Sequence, residues 1–284
     1  MNLPINQHYK PMESKSASEL PTGDHWQYEP KWDGFRCLAF RDGEKIALQS
    51  KAAGSLTRYF PDIVHALKSL NAQRFVIDGE LVISVDGTLS FECLLERMNP
   101  SSKRVMELAR KQPAVFLIFD LLVADDGELL VNQLLRDRRT RLEAFADSFL
   151  NSSTRIQITP VTTDRNVAQE WFKLVGASLE GVIAKRLDRP YDSGGRAAVI
   201  KVKKHQTMDC VVGGFTRTED GLAVASLLLG LFDSDSLRYV GGTRLTQVEG
   251  KRILKSCRLL SRSRGSFVAT AADSFQRFPR FGLR

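Results

Sequence analysis

"EPKWDGFR", residues 29–36, sets a lysine between a proline and a tryptophan, with an acid two residues before it and Asp-Gly-Phe-Arg closing the stretch. At pH 7 a lysine is ordinarily a solvated cation. With an unperturbed pKa of about 10.4, only roughly one in a few thousand is neutral. Lys31 can therefore act as a nucleophile only if other residues disfavour its proton, position its target and neutralise the charge that develops.

Residues suited to those tasks recur downstream. "VIDGELV" places Asp78 and Glu80 two apart, on one face of a strand. "EGVIAK" begins with Glu180 before a β-branched run, so an acid sits at a strand's start, within reach of a metal-bound phosphate. "IKVKK" puts Lys201 and Lys203 on one strand face while Ile200 and Val202 point to the core. Two such cations bind phosphate oxygens and disfavour protonation of a neighbouring lysine. Each element alone has an ordinary use: D-G-E is commonly a strand-end turn, and edge lysines commonly guard against aggregation. Together they are the parts of a covalent nucleotidyl-transfer site. Lys31 attacks the α-phosphate of a nucleoside triphosphate to give a phosphoramide, and Mg²⁺ held by carboxylates neutralises the leaving pyrophosphate. A purine base needs an apolar or aromatic slot, for which Phe119 in "FLIFDLL" and Ile183 in "EGVIAK" are the candidates, although either could equally be core.

At 284 residues the chain has room for two domains, and its hydrophobic fraction of 43% and charged fraction of 26% are those of an ordinary globular protein. The cysteines Cys37, Cys93, Cys210 and Cys257 are far apart, with no C-x-x-C pair, and read as reduced thiols rather than zinc ligands or disulfides. The N-terminus has no leader pattern. The longest apolar stretch, "AVFLIFDLLVA" at 114–124, is broken by Asp120 and too short to span a bilayer, so the expected location is cytoplasmic. The charge is uneven. Residues 241–284 hold ten Lys or Arg against Glu249 and Asp273, which accounts for the whole net charge of +8. That excess either faces a polyanion or is a solvated basic helix and tail.

Residues 1 to about 25 show no periodic run and read as an irregular lead-in. "FRCLAFRDGEKIALQS" reads as a hairpin turning at Asp42-Gly43. In "FPDIVHALKSL", Ile63, Val64, Ala66, Leu67 and Leu70 form one helical stripe, with Pro61 in the first turn. Strands are expected at 75–83 and 114–123, a helix from near Leu134, a strand at "RIQITPV", a helix at "NVAQEWFKLVGA", and strands at "EGVIAKR" and "AVIKVKK". This is a mixed α+β domain with antiparallel sheets. After Lys204 come "CVVGGFTRT", "VASLLLGLFDS" and "LRYVGGT", then a basic helix over about 246–260. Short strands with glycine punctuation fit a small OB-type barrel. The boundary falls near 204–207, giving domains 1–204 and 205–284.

The ordered series "EPKWDGFR", "SKAAGSLTRYFP", "VIDGELV", "FLIFDLL", "EGVIAK" and "IKVKK" resembles the motifs of ATP-dependent DNA ligases, within the covalent nucleotidyltransferase superfamily. It looks most similar to the compact bacterial end-joining and repair ligases, over about residues 11–245. The resemblance implies that Lys31 is the adenylated lysine, that Glu29 contacts the adenine side, and that Arg36 and Lys51 approach ribose and phosphate. Lys51 stands where an arginine is more usual. It further implies that Glu80 contacts ribose or metal, Glu180 serves the metal, Phe119 and Ile183 sandwich the base, and Lys201 and Lys203 hold the α-phosphate. The cofactors implied are ATP, as covalent AMP, and Mg²⁺ or Mn²⁺. The fold implied is an adenylation domain followed by an OB domain. The reaction implied seals a 5′-phosphate/3′-hydroxyl nick in double-stranded DNA by way of enzyme-AMP and DNA-adenylate. A monomer is expected, with a DNA-end-binding or repair-polymerase partner left open.

Two departures stand out. Val199 or Ile200 replaces the usual tryptophan before the lysine-rich strand. The family's closing basic motif is missing from "QRFPRFGLR", so Arg277, Arg280 or Arg284 would have to stand in, and self-adenylation would suffer if none does. RNA ligases and mRNA-capping guanylyltransferases share the lysine chemistry. NAD-dependent ligases are disfavoured by the missing zinc-ligand cysteines. A nick-binding remnant without turnover is the alternative from a different class.

Overall fold

The computed structural model describes residues 1–99, 101–150, 155–175, 179–203, 208–233 and 236–261, the last six of them by backbone alone. In chain order the strands and helices are β1 Lys15–Ala17, β2 Trp26–Trp32, β3 Phe35–Asp42, β4 Lys45–Ser50, α1 Pro61–Ser69, β5 Arg74–Val82, β6 Ser84–Val85, β7 Thr88–Leu89, α2 Phe91–Arg97, α3 Ser102–Lys111 and β8 Val115–Val123. They continue with α4 Leu135–Phe149, β9 Ile156–Ile158, α5 Arg165–Glu170, β10 Leu179–Arg186, β11 Val199–Lys203, β12 Val211–Arg217, β13 Val224–Asp233, β14 Ser236–Arg244 and α6 Gln247–Ser261. The chain divides into two compact units, Met1–Lys204 and His205–Arg284.

The first unit is built on two sheets, one of order β4-β3-β5-β8-β9 and one of order β1-β11-β10-β2. Strand alternation sends Cys37, Ala39, Phe75 and Ile77 to a core that includes Ile63 and Leu67 of α1 and Leu142 and Phe145 of α4. The opposite face sends Leu38, Phe40 and Val76 to a second core, shared with Ile183 and Val199 of the other sheet. The two sheets therefore face each other. The far side of the four-stranded sheet buries Tyr28, Val182, Ala184 and Val202 with Ala168 of α5. On the inner face the residues facing the neighbouring sheet change along each strand from apolar to charged. Phe40 and Leu38 lead to Arg36 along β3, and Val76 leads to Asp78 and Glu80 along β5, a pattern no plain core would use.

The hairpin turns at Asp42-Gly43 as the sequence predicts, with Asp42 opposite Lys45. Other elements differ from the sequence reading. The lead-in contains β1, a strand of three exposed residues that pairs in parallel with β11 and so carries no periodic signal of its own. The sheets are not purely antiparallel, because β9 also runs parallel to β8. α4 is the crossover that such a pair requires. α2 and α3 were not anticipated. Ser90 and Ser101 cap them by accepting from the Cys93 and Arg104 amides, and in α3 Val105, Leu108 and Ala109 are the buried stripe of an otherwise charged run.

In the second unit, β12, β13 and β14 form an antiparallel sheet. Val224 and Leu227 are buried with Leu254 of α6, and Phe215 and Ile253 pack beside them. The described residues thus hold three strands and a helix, without closing a barrel. Arg262, Arg264, Arg277, Arg280 and Arg284 lie outside them, and so does the side chain of Arg258. Cys37 is buried, while Cys93 and Cys210 are half-buried free thiols. Among the described residues no helix is long and apolar enough to cross a membrane.

Candidate active site

At the charged end of the space between the sheets of the first unit is a cavity of about 220 Å³. Glu29, Lys31, Arg36, Lys51, Glu80, Phe119, Ile183, Lys201 and Lys203 all line it. Register explains their convergence. Lys31 lies opposite Gly181, which lies opposite Lys203, and Glu29 lies opposite Ile183, which lies opposite Lys201. Cross-strand partners share a sheet face, so these two rows present their side chains inward together. From the facing sheet, Arg36 lies opposite Glu80.

Two irregularities complete the arrangement. The register of β10 against β2 shifts between Leu179 and Gly181, leaving Glu180 as the extra residue of a bulge. A regular strand would turn Glu180 away from the face that Lys31 uses, and the bulge re-aims it. Its carboxylate contacts Lys31 Nζ directly and lies 3.0 Å from Lys203 Nζ. Gly181 makes this possible, because a Cβ there would collide with the carbonyl oxygen of Val202. The second shift, between Asp78 and Gly79 on the β5–β8 ladder, leaves Phe119 without a partner on β5. Its ring is nearly buried, with Arg36 4.5 Å and Lys185 Nζ 4.1 Å from its centroid.

The electrostatics follow from this crowding. Glu29 is buried and holds Lys185 at 2.7 Å, while Gln27 donates to its other oxygen at 2.9 Å. Arg36 grips Asp78 with two parallel bonds of 2.6 and 2.7 Å. Burial works against the Arg36 charge, but the Asp78 carboxylate outweighs it and holds the guanidinium above its usual range. Burial pushes the Glu80 carboxyl up to about 7, even with Arg36 and Lys31 nearby. Burial, and then the Glu180 charge, push the Asp33 carboxyl up as well. Burial would also raise Glu180, but hydrogen bonds from Lys31 and Lys203 outweigh it and hold this carboxyl below its usual range. Lys51 is exposed at the rim, 3.6 Å from Glu13.

One expectation needs correction. From sequence, neighbouring cations were to crowd Lys31, yet its immediate ionic partner is a carboxylate, with Lys203 on the far side of Glu180. The bulge that turns Glu180 inward is the reason. Sequence reasoning also missed Asp33, Lys185, Tyr191 and Glu13, which belong to the cavity or its charge network. Lys185 was within reach, since it shares a strand face with Ile183 two residues earlier. Tyr191 and Glu13 sit in irregular segments and leave no periodic signal.

A carboxylate set of this kind suits a hard divalent cation. Among the described residues no three metal-type side chains converge into a closed cage. Glu80 and Glu180 instead offer two carboxylates, which is how Mg²⁺ is commonly held when substrate phosphates complete its shell.

Comparison with known proteins identifies the family. The family model described as "ATP dependent DNA ligase domain" matches residues 9–203. DNA ligase C2 of Mycolicibacterium smegmatis is 45% identical over 245 residues, which cover 85% of this chain and 67% of that protein. DNA ligase C of Mycobacterium tuberculosis is 40% identical over 237 residues, covering 83% and 65%. The chain thus spans about two thirds of the length of these relatives. The solved structure of a mycobacterial DNA ligase D complexed with ATP and MES superposes with a TM-score of 0.57 at 26% identity, covering 89% of this chain and 78% of that one. With its cavity-lining strands all inside the matched segment, this chain belongs to the ATP-dependent DNA ligase family.

Proposed function

We propose that this chain seals 5′-phosphate/3′-hydroxyl nicks in double-stranded DNA by way of a Lys31-AMP intermediate. The observation that carries the reading is that Lys31 and Lys203 line one cavity with Arg36 and Phe119 while sharing the Glu180 carboxylate. To attack, Lys31 must leave Glu180 and give up one proton. Its nitrogen then forms a bond to the α-phosphorus of ATP as the bond to pyrophosphate breaks, and it loses a second proton to solvent in becoming the phosphoramide nitrogen. Lys201 and Lys203 receive the α-phosphate oxygens, Phe119 and Ile183 take the two faces of the adenine, and Glu29 reads its edge. Arg36, Lys51 and Glu80 serve ribose and phosphate. Glu80 and Glu180 would hold Mg²⁺ or Mn²⁺, which when bound supplies charge neutralisation for the phosphoryl transfer.

The AMP then passes to the 5′-phosphate of the nick, and the adjacent 3′-hydroxyl displaces it. Residues 1–204 form the adenylation domain. Residues 205–284 form an OB-type domain whose three described strands and basic composition suit phosphate contacts without base readout. We further infer a cytoplasmic monomer acting in DNA repair, with a DNA-end-binding or repair-polymerase partner.

The test is incubation with α-labelled ATP or GTP and Mg²⁺. A covalent label from ATP that survives denaturation and alkali but is released by acid, as a phosphoramide is, and that is lost in Lys31→Ala while that variant still binds nicked duplex, is the expected result. Label from GTP alone would favour a capping-type enzyme. No label with nick binding retained would favour a binding remnant.

A further inference from the structure

Beneath the cavity runs a buried chain of contacts that none of the roles above uses. Asp78 is fully buried, and its carboxylate accepts three bonds, two from Arg36 and one of 2.6 Å from the hydroxyl of Tyr191. That hydroxyl in turn accepts the backbone N–H of Met12 at 2.9 Å. Tyr191 lies between β10 and β11, and Met12 in the lead-in, so one oxygen atom joins two irregular segments to the carboxylate that holds Arg36. The join is reinforced on both sides. Tyr9 stacks on the Tyr191 ring with centroids 6.1 Å apart, Glu13 N–H donates to the Gly195 carbonyl at 2.8 Å, and Ser193 Oγ donates to the Lys10 carbonyl at 2.9 Å. Pro11, Met12, Glu13 and Ser14 are themselves part of the cavity wall. The phenol is 5% exposed, so its polar atom needs these partners and cannot turn to water instead.

We propose that Tyr191 is a positioning residue for ATP binding, whose hydroxyl couples the lead-in wall of the cavity to the carboxylate that orients Arg36. The inference rests on reading the cavity as the ATP site. The physical argument is preorganisation. With the hydroxyl removed, Asp78 keeps a buried lone pair unsatisfied and the Met12 amide loses its acceptor; the wall and the guanidinium, still joined by the 3.4 Å contact of Arg36 with the Met12 carbonyl, are held less firmly, so the nucleotide must supply more of their order. Tyr191→Phe is the direct perturbation, since it keeps the ring stacked on Tyr9 and deletes one oxygen.

ATP affinity is measured on the full chain by equilibrium binding in EDTA, so that no chemistry intervenes. The bond lies within the protein, so only the preorganisation it supplies enters the affinity, and the dissociation constant should rise by roughly three- to ten-fold. In an Arg36→Ala background the same substitution should add little, because it acts through Arg36. An unchanged affinity in Tyr191→Phe, or a full additional factor in the double variant, would overturn the proposal. A second readout needs no variant: hydrogen exchange at the Met12 amide of the wild-type chain should slow when ATP binds, and an unchanged rate would count against the coupling. The functional reading fails separately. A wild-type chain that binds ATP but takes no Lys31 label would contradict the ligase assignment and leave this inference to be decided by the affinities. A wild type that takes the label, with equal affinities in both chains, sinks this inference alone.

Discussion

Burial of the Glu80 carboxyl places a cost on the fold, and that cost can be measured. Burial raises its carboxyl from the ordinary glutamate value of 4.5 to about 7, so between those pH values the folded chain holds a proton that the unfolded chain has released. Proton uptake by the folded state means that stability falls as pH rises through this window, and the loss is complete above about pH 7. At about 1.4 kcal/mol per pH unit, the full penalty is about 3 kcal/mol. Glu80→Gln removes the titrating group while keeping its size. Its advantage over wild type should therefore grow by roughly 2 to 3 kcal/mol between pH 5 and pH 8, most of the penalty being absent at pH 5. For a chain of this length that is a rise in relative Tm of about 3 to 5 °C. Thermal unfolding of both proteins at the two pH values reads it directly, and comparing differences cancels any effect of the amide that does not depend on pH. Labelling with AMP should fall in the same variant, the usual exchange of function for stability at a strained site. A Tm difference that is the same at pH 5 and pH 8, or that shrinks as pH rises, would refute the electrostatic reasoning.

Further substitutions test the framework of the site. Gly181→Ala drives a methyl group into the Val202 carbonyl, where no side chain can yield. Thermal unfolding should show a loss of about 1 to 3 kcal/mol, together with reduced AMP labelling as Glu180 shifts; wild-type values for both would contradict the role given to the bulge. Asp120→Ala strips the fully buried Arg138 of its two carboxylate bonds of 2.8 Å. Urea unfolding should report a loss of about 3 to 5 kcal/mol, and a loss below about 1 kcal/mol would mean that Gln133 and the other carbonyl partners suffice. Binding of the full chain to nicked duplex should weaken steeply as salt rises; affinity that is flat between about 50 and 200 mM salt would argue against phosphate neutralisation as its source.

The sequence alone determined on which strand faces many of the cavity residues lie, though not the full lining, since Glu13, Lys185 and Tyr191 left no signal that was read. A strand has a period of two, so the spacing of Glu29 with Lys31 and of Lys201 with Lys203 fixes the direction of each pair before any partner is known. The buried Val202 between the two lysines, with Ile200 beside it, marks the core face of that strand. Tertiary structure decided what each charge touches. Glu180 reaches Lys31 and Lys203 because of a register shift, and Phe119 stands free of β5 because of another; a bulge is a relation between two strands, invisible in either one. β1 exists as a strand only because β11 offers it an edge, and α2, with seven residues, is too short to show a period and rests on its Ser90 cap and packing. Tyr191 and Met12 meet across 179 residues of sequence. Local alternation writes faces into a sequence, whereas long-range pairing is settled only when the two sheets bury their shared core.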